Sequence, residues 1–258
     1  MLKYGFRHPV ASFSFLEEFL RYRSNMNHIF PSLKEIRFTD DWISFLRSIV
    51  GDYRFTTDDI STISSEYEEM MNDIRAVYKE HEPSVLSLKE GLALYFVIRS
   101  VKPENVVETG VSDGMSSLMI LKAINDNGIG HLYSIDYPEV GMPRLYGREP
   151  GWIIHGDLRA KWTLIYGKTS DKMPPLLEKL RSVDVFLHDS EHSYPNMKFE
   201  FSLALKYMHN GSILLSDDVT SNSAITESLL DRGLSISNLT VLKDSEADFG
   251  GTVIRGEK

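Results

Sequence analysis

The 258-residue sequence contains no cysteine, and this absence excludes disulfides, zinc–thiolate sites, iron–sulfur clusters and cysteine nucleophiles. It also lacks a long apolar run: the longest is Leu92 to Ile98, whereas a membrane-spanning helix needs about 20 apolar residues. No apolar stretch near the N-terminus leads to a small-residue cleavage site. We therefore expect a soluble, cytoplasmic protein that has no membrane partner.

Basic residues are in the minority, with 28 Lys and Arg against 37 Asp and Glu and a formal net charge of −9. Nucleic-acid binding depends on clustered Lys and Arg that release counterions from phosphates, so this balance argues against a nucleic-acid partner. The remaining composition, 42% hydrophobic and 25% charged, is that of a globular protein and excludes wholesale disorder. The chain is long enough to bury one large core.

The first 84 residues are polar and helix-like, without a strong strand signal. Trp42, Phe45, Leu46 and Ile49 follow helical spacing, and residues 57–82 read as a long charged helix. We interpret residues 1–84 as an N-terminal helical extension packed on a main domain. A lid over a substrate site is compatible with the same pattern.

Residues 85–258 form the predicted main domain, in which short apolar strands alternate with amphipathic helices. The domain opens on a capping box of Ser87 and Glu90. Strands are expected at 105–108, 131–136, 162–166, 183–188, 211–216, 234–242 and 250–255. Helices are expected at 115–127, 174–181, 195–209 and 222–232. This order predicts an α/β fold with a doubly wound, seven-stranded, mostly parallel sheet whose last strand is antiparallel.

The carboxyl ends of the strands are the places to look for chemistry, because ligands of open α/β sheets bind there. The first strand leads into Glu108-Thr109-Gly110 and a turn that closes with Gly114. A dinucleotide site would favour G-x-G-x-x-G, but Ser112 occupies the middle position. A carboxylate at Glu108 would repel phosphate and suit a ligand with an ammonium group. Alternatively, the glycines serve turn geometry alone.

The second and third strands end on further polar groups. Asp136 follows Gly114 by 22 positions, a spacing at which an acidic residue commonly accepts hydrogen bonds from ribose hydroxyls. Thr169 and Ser170 offer hydroxyls after the third strand, although ordinary loop chemistry explains them equally well.

Acidic residues follow the fourth and fifth strands. Adjacent strands would bring Asp189, Asp217 and Asp218 to one edge of a pocket. Carboxylates this close raise one another's pKa unless a cation lies between them. Oxygen ligands favour Mg²⁺, Ca²⁺ or Mn²⁺. The alternative is that Asp217 and Asp218 cap the following loop and helix.

With these strand ends in order, the region from about Ser87 onward resembles class I S-adenosylmethionine-dependent methyltransferases. It is most similar to the small-molecule and sugar O-methyltransferase branch, which includes the catechol O-methyltransferase type. The resemblance implies that the methyl donor S-adenosylmethionine is bound by Glu108, Gly110, Ser112, Gly114, Ser116, Asp136, Thr169, Ser170 and Asp189. It also implies a divalent cation, Mg²⁺ or Mn²⁺, at Asp189, Asp217 and Asp218.

The catalytic base is where the sequence departs from the catechol enzymes, since His192 stands where they have a lysine. A histidine can take a hydroxyl proton near neutral pH because its unperturbed pKa is about 6.5. Glu191 is the second candidate for the base. Alternatively, His192 pairs with a nearby carboxylate and has no catalytic role.

The expected acceptor is a small molecule, and the long connection from Tyr137 to Gly156 together with the N-terminal helices is expected to form its pocket. Two other functions remain open at this point: an NAD-dependent Rossmann oxidoreductase and a non-catalytic cofactor-binding or scaffold protein. Assembly into a homo-oligomer also remains open.

Overall fold

The structure is a computed structural model that describes residues 23, 25–31, 34–51, 55–78, 86–137, 148–243 and 248–255. Half of the connection predicted to border the acceptor pocket, residues 138–147, lies outside the described residues. Within the described ranges, no helix is both long and apolar enough to cross a membrane.

One eight-stranded sheet organises the described chain. Its strands are β1 Arg37–Thr39, β2 Asn105–Thr109, β3 His131–Asp136, β4 Trp162–Tyr166, β5 Val183–His188, β6 Met208–Ser216, β7 Thr240–Lys243 and β8 Asp248–Val253. The strand order is β1-β7-β8-β6-β5-β2-β3-β4. Only β8 pairs antiparallel, with β6 on one side and β7 on the other. The predicted α/β fold, with a mostly parallel sheet and an antiparallel C-terminal strand, is confirmed.

Helices cover both faces of this sheet. They are α1 Trp42–Val50, α2 Thr57–Tyr78, α3 Leu88–Val101, α4 Met115–Asn127, α5 Thr169–Leu180, α6 Tyr194–Ala204 and α7 Ala224–Asp231. Val106 and Val107 are consecutive in β2 but belong to separate apolar clusters, because successive strand side chains point to opposite faces. The first cluster packs β2 against α1 to α4, and the second packs it against α5 to α7.

The eighth strand was missed by the sequence analysis. Strand β1 comes from the N-terminal region and pairs in parallel with β7, with Arg37 opposite Thr240. It is only three residues long and lies at the sheet edge, so its strand conformation depends on a distant partner and leaves no local pattern.

Several predicted boundaries also move. Helix α5 begins at Thr169 and carries Pro174 and Pro175 inside it, whereas a helix had been expected only from residue 174. Strand β6 begins at Met208, where a helix had been expected to continue. Strand β7 is confined to Thr240–Lys243. The capping box of Ser87 and Glu90 at the start of α3 is confirmed.

The N-terminal helices share the core of the main sheet. Phe45 and Leu46 of α1 are fully buried in the same cluster as Phe96 of α3. Helix α2 packs its Tyr67 ring so closely on Gly91 that a Cβ there would lie 2.4 Å from Cε2 of the ring. The predicted domain boundary at residue 84 remains a prediction. Strand β1 belongs to the main sheet, and α1 packs against that sheet.

Candidate active site

The turn after β2 packs closely against the end of β5, because Gly110 has no side chain. Gly110 has φ +84°, and a Cβ at this position would lie 1.8 Å from the carbonyl oxygen of Asp189. The Asp189 amide donates to the carbonyl of Thr109 at 2.8 Å. Two strand ends therefore meet backbone to backbone, which a side chain at residue 110 would prevent.

A second close approach lies at the start of α4. Gly114 has φ +101°, and a Cβ there would lie 2.7 Å from Cα of Gly151. The Gly151 amide donates to the carbonyl of Ser112, and the indole of Trp152 donates to Asp113 at 2.5 Å. The segment before β4 is thus fixed against the glycine turn.

A small cavity of about 30 Å³ lies over this turn. Four residues that the sequence assigns to the methyl donor share its wall, namely Ser112, Gly114, Ser116 and Asp189; Leu86, Val111, Asp113 and Met115 complete the lining. The structure therefore brings the glycine turn and the end of β5 to one concave place.

Glu108 lies inside the protein. Its fully buried carboxylate accepts hydrogen bonds from Ser116 at 2.5 Å, Ser117 at 2.5 Å and Ser134 at 2.7 Å. Burial raises the pKa of Glu108 against the lowering effect of these hydroxyls. The oxygens of Glu108 and the hydroxyl of Ser116 are thus engaged with each other, and their contact with a methyl donor remains a prediction.

Asp136 joins the end of β3 to the glycine turn. One of its carboxylate oxygens accepts from the amides of Val111 and Ser112, both at 3.0 Å. Burial raises its pKa, and the backbone hydrogen bonds oppose that shift. At the start of α5, Thr169 donates to Asn196 at 3.2 Å and Ser170 to Asp171 at 3.2 Å. Contact of Asp136 with the ribose remains a prediction. The placement of Thr169 and Ser170 near the adenine also remains a prediction.

A group of possible metal ligands consists of Asp189, His192 and Asp217. Each residue offers one ligand atom, and these atoms lie within 4.8 Å of one another. Nε2 of His192 lies 3.8 Å from Oδ1 of Asp189. This nitrogen is buried and has no hydrogen-bond partner among the described residues. The group therefore presents two carboxylates and one imidazole nitrogen to a common point.

Asp218 occupies a different position from its neighbour Asp217. Its φ is +46°, in the left-handed region that Asp tolerates better than most residues. The carboxylate of Asp218 lies 2.7 Å from Nδ1 of His192. Of the three predicted metal carboxylates, Asp218 thus contacts the imidazole, which takes the third place in the group.

The two half-buried carboxylates of the group are difficult to ionise together. Burial, reinforced by the charge of Asp217, raises the pKa of Asp189 well above its ordinary value. Burial also raises the pKa of Asp217. A positive charge between the two groups would remove this penalty.

Glu191 differs from these residues because it is exposed. Its backbone carbonyl accepts from the side-chain amide of Asn196 at 2.9 Å, which fixes the main chain between Asp189 and His192. The Glu191 side chain is therefore open to solvent.

Two contacts of the His192 segment were missed by the sequence analysis. Asn25 donates to the carbonyl of His192 at 3.1 Å and accepts from the amide of Tyr194 at 2.9 Å. Glu200 lies fully buried in α6 and contacts the same segment. No local pattern marks Asn25, but an acidic residue among the apolar positions of α6 was an available signal for Glu200.

Part of the chain that contains the candidate site is similar to a known protein family. Residues 107–219 match the family model of a methyltransferase domain, a span that runs from β2 to just past β6. No curated protein matches the chain significantly.

Solved structures share the fold at low sequence identity. An O-methyltransferase from Bacillus cereus in complex with SAH is 18% identical, with a TM-score of 0.53, over 74% of this chain and 91% of that one. An O-methyltransferase from Streptomyces achromogenes, involved in tomaymycin synthesis and in complex with SAM, is 15% identical, with a TM-score of 0.51, over 83% and 96%. Residues 107–219 are thus similar to a methyltransferase domain, and the chain shares its fold with these two O-methyltransferases.

Proposed function

We propose that this protein transfers a methyl group from S-adenosylmethionine to a hydroxyl of a small molecule, with the help of a divalent cation. The observation that carries the proposal is the group of Asp189, His192 and Asp217 next to the glycine turn. Asp189 belongs to both places, since it lines the cavity and supplies one atom of the group. The two solved O-methyltransferases support the same reaction class by fold.

The charge and chemistry of the groups at the glycine turn suit the methyl donor. S-adenosylmethionine carries a sulfonium and an ammonium group, and a cationic ligand beside the carboxyl groups of Asp189 and Asp136 would favour their ionised forms. The N-terminus of α4, which begins next to Gly114, suits the carboxylate of the methionine part. Asp136 would accept from the ribose hydroxyls, and Thr169 and Ser170 would lie near the adenine.

The group of Asp189, His192 and Asp217 suits a divalent cation. Two half-buried carboxylates with raised pKa and one buried, unpartnered imidazole nitrogen form a donor set that suits a divalent cation. Asp218 would accept from Nδ1–H of His192 and so direct the lone pair of Nε2 toward the group. A cation held there supplies positive charge that lowers the pKa of a hydroxyl bound to it.

The remaining chemistry belongs to the side chains. When Nε2 of His192 binds the cation, Glu191 takes the proton from the hydroxyl group of the small-molecule substrate. Without a cation, the same nitrogen of His192 would take the proton, as the sequence suggests. The acceptor oxygen then bonds to the methyl carbon while the carbon–sulfur bond breaks, and orientation of the two reactants supplies most of the acceleration.

The proposal is tested by binding and turnover with a panel of small hydroxylated acceptors. We expect calorimetric binding of S-adenosylmethionine but not of NAD, and methyl transfer that a chelator abolishes and Mg²⁺ or Mn²⁺ restores. Asp217→Ala should lose the metal dependence together with most of the rate. The matched control is Asp231→Asn, because Asp231 is an exposed carboxylate paired with Lys198.

The role of His192 has its own readout. Pulsed electron paramagnetic resonance of the Mn²⁺-loaded protein should show coupling to an imidazole nitrogen, and His192→Gln should abolish it. Unchanged, metal-independent activity in Asp217→Ala would overturn the cation site. Binding of the donor with no turnover of any acceptor, with or without metal, would favour a non-catalytic role.

A further inference from the structure

A buried carboxylate on α6 connects several parts of the candidate site. Glu200 has no exposed surface and receives four hydrogen bonds from side chains. Oε2 accepts from Thr109 at 2.6 Å and His188 at 2.7 Å. Oε1 accepts from Ser190 at 2.8 Å and Asn196 at 3.0 Å.

These four partners come from different parts of the fold. Thr109 ends β2 immediately before the glycine turn, and His188 ends β5 immediately before Asp189. Ser190 lies inside the Asp189–His192 segment, and Asn196 lies in the first turn of α6. Glu200 therefore joins both strand ends of the site to the helix that follows them.

The Asp189–His192 segment has no regular secondary structure to hold it. The side-chain amide of Asn196 donates to Ser190 at 3.0 Å and to the carbonyl of Glu191 at 2.9 Å, as well as to Glu200. The side chains of Ser190 and Asn196 thus hold the segment from within it and from α6. The carboxylate of Glu200 accepts a hydrogen bond from each of them. Removal of that carboxylate would leave these two half-buried donors without their common acceptor.

Glu200 is ionised despite its burial. Burial opposes ionisation, but the His188 imidazole and the hydroxyls of Thr109 and Ser190 outweigh it, so that the pKa of Glu200 lies below its ordinary value. An ionised carboxylate only accepts hydrogen bonds, which fixes the direction of each bond that it receives.

We propose that Glu200 is a positioning residue that holds the Asp189–His192 segment in the conformation in which Asp189 and His192 meet Asp217. It touches neither the donor cavity nor the ligand atoms and acts through Ser190 and Asn196. The proposal deepens the proposed function and rests on it for the role of the Asp189, His192 and Asp217 group.

Two substitutions separate position from charge. Glu200→Ala removes the acceptor of Ser190 and Asn196, and we expect the affinity for Mn²⁺ alone to fall about tenfold or more, as for other outer groups of metal sites. Glu200→Gln keeps one oxygen for those two donors, while its amide nitrogen faces a hydroxyl and an imidazole that can both reverse their hydrogen bonds. We expect Glu200→Gln to retain the affinity within about threefold.

The matched control lies at the opposite end of β5. Asp184 also gathers backbone amides and a histidine, since it accepts from Glu104, Asn105 and His209. Asp184→Ala should lower the melting temperature without changing the Mn²⁺ affinity. If Glu200→Ala and Asp184→Ala both lower the melting temperature and leave the affinity unchanged, the proposal is overturned and Glu200 is only structural.

Amide hydrogen exchange separates this proposal from the proposed function, because it needs no metal. Glu200→Ala should raise exchange at residues 189–192 in the metal-free protein, and Asp184→Ala should not. If the wild-type protein binds no Mn²⁺ but this exchange difference appears, the cation site fails while the positioning role stands. If exchange at 189–192 is unchanged in Glu200→Ala, the positioning role fails irrespective of metal binding.

Discussion

Replacement of Gly110 by alanine tests whether the close approach of β2 and β5 builds the site. A Cβ at residue 110 would lie 1.8 Å from the Asp189 carbonyl oxygen and 3.0 Å from the Ser190 nitrogen. Both are backbone atoms, so no side-chain rotation relieves the overlap. The strand ends must separate by more than about 1 Å, which displaces the segment that carries Asp189.

The cost can be built from two contributions. Alanine at φ +84° costs about 1–2 kcal/mol of unfolding free energy. The forced separation adds about 1–3 kcal/mol for overpacking. We therefore expect Gly110→Ala to lose about 2–5 kcal/mol and to bind S-adenosylhomocysteine more weakly.

Gly128 provides the matched control, because its φ is +72° and nothing lies within 4 Å of an added Cβ. Gly128→Ala should lose only about 1–2 kcal/mol and keep its ligand affinity. Urea unfolding measures the free energies, and calorimetry of S-adenosylhomocysteine measures the affinity. Equal losses in the two variants, with unchanged binding in both, would refute the role assigned to the close approach.

Three further changes probe other contacts. Glu108→Ala should lose about 3 kcal/mol in urea unfolding, since three buried hydroxyls lose their common acceptor; a loss below about 1 kcal/mol would contradict this. Asn25→Ala should weaken Mn²⁺ binding while leaving melting nearly unchanged, because Asn25 contacts the carbonyl of His192. The hydrogen bonds of His209 to the Asn210 carbonyl and to Asp184 raise its pKa, so its stabilisation is present below about pH 6.5 and is lost as pH rises through the folded-state pKa. His209→Ala should accordingly melt about 1–2 °C lower than wild type at pH 6, with the difference vanishing by pH 9.

The elements that the sequence predicted well are those whose pattern is local. Helix α4 and strands β3, β4 and β5 begin and end at the predicted residues, because apolar runs and turn residues mark them directly. Strand β1 was missed because its conformation comes from pairing with β7. The start predicted for α5 at residue 174 was five residues too late, and the helix accommodates Pro174 and Pro175 in its second turn.

The sequence predicted the edge of the sheet at which the candidate site lies, but not the contacts among its residues. Strand topology alone brings Asp189, Asp217, Asp218 and His192 to one edge of the sheet. That Asp218 contacts the imidazole depends on its backbone at φ +46°, which no spacing reveals. In the same way, the inward direction of Glu108 depends on serines from α4 and β3.

Strand β1 also has a consequence for the order in which the protein folds. Arg37 pairs with Thr240, so this ladder closes a loop of about 200 residues, and contacts of such long range form slowly. The central strands β2 to β5 come from one continuous stretch and have no need of this contact to pair. During synthesis, the N-terminal segment must therefore wait for nearly the whole chain before its edge strand finds a partner, which makes β1 one of the last parts of the sheet to form.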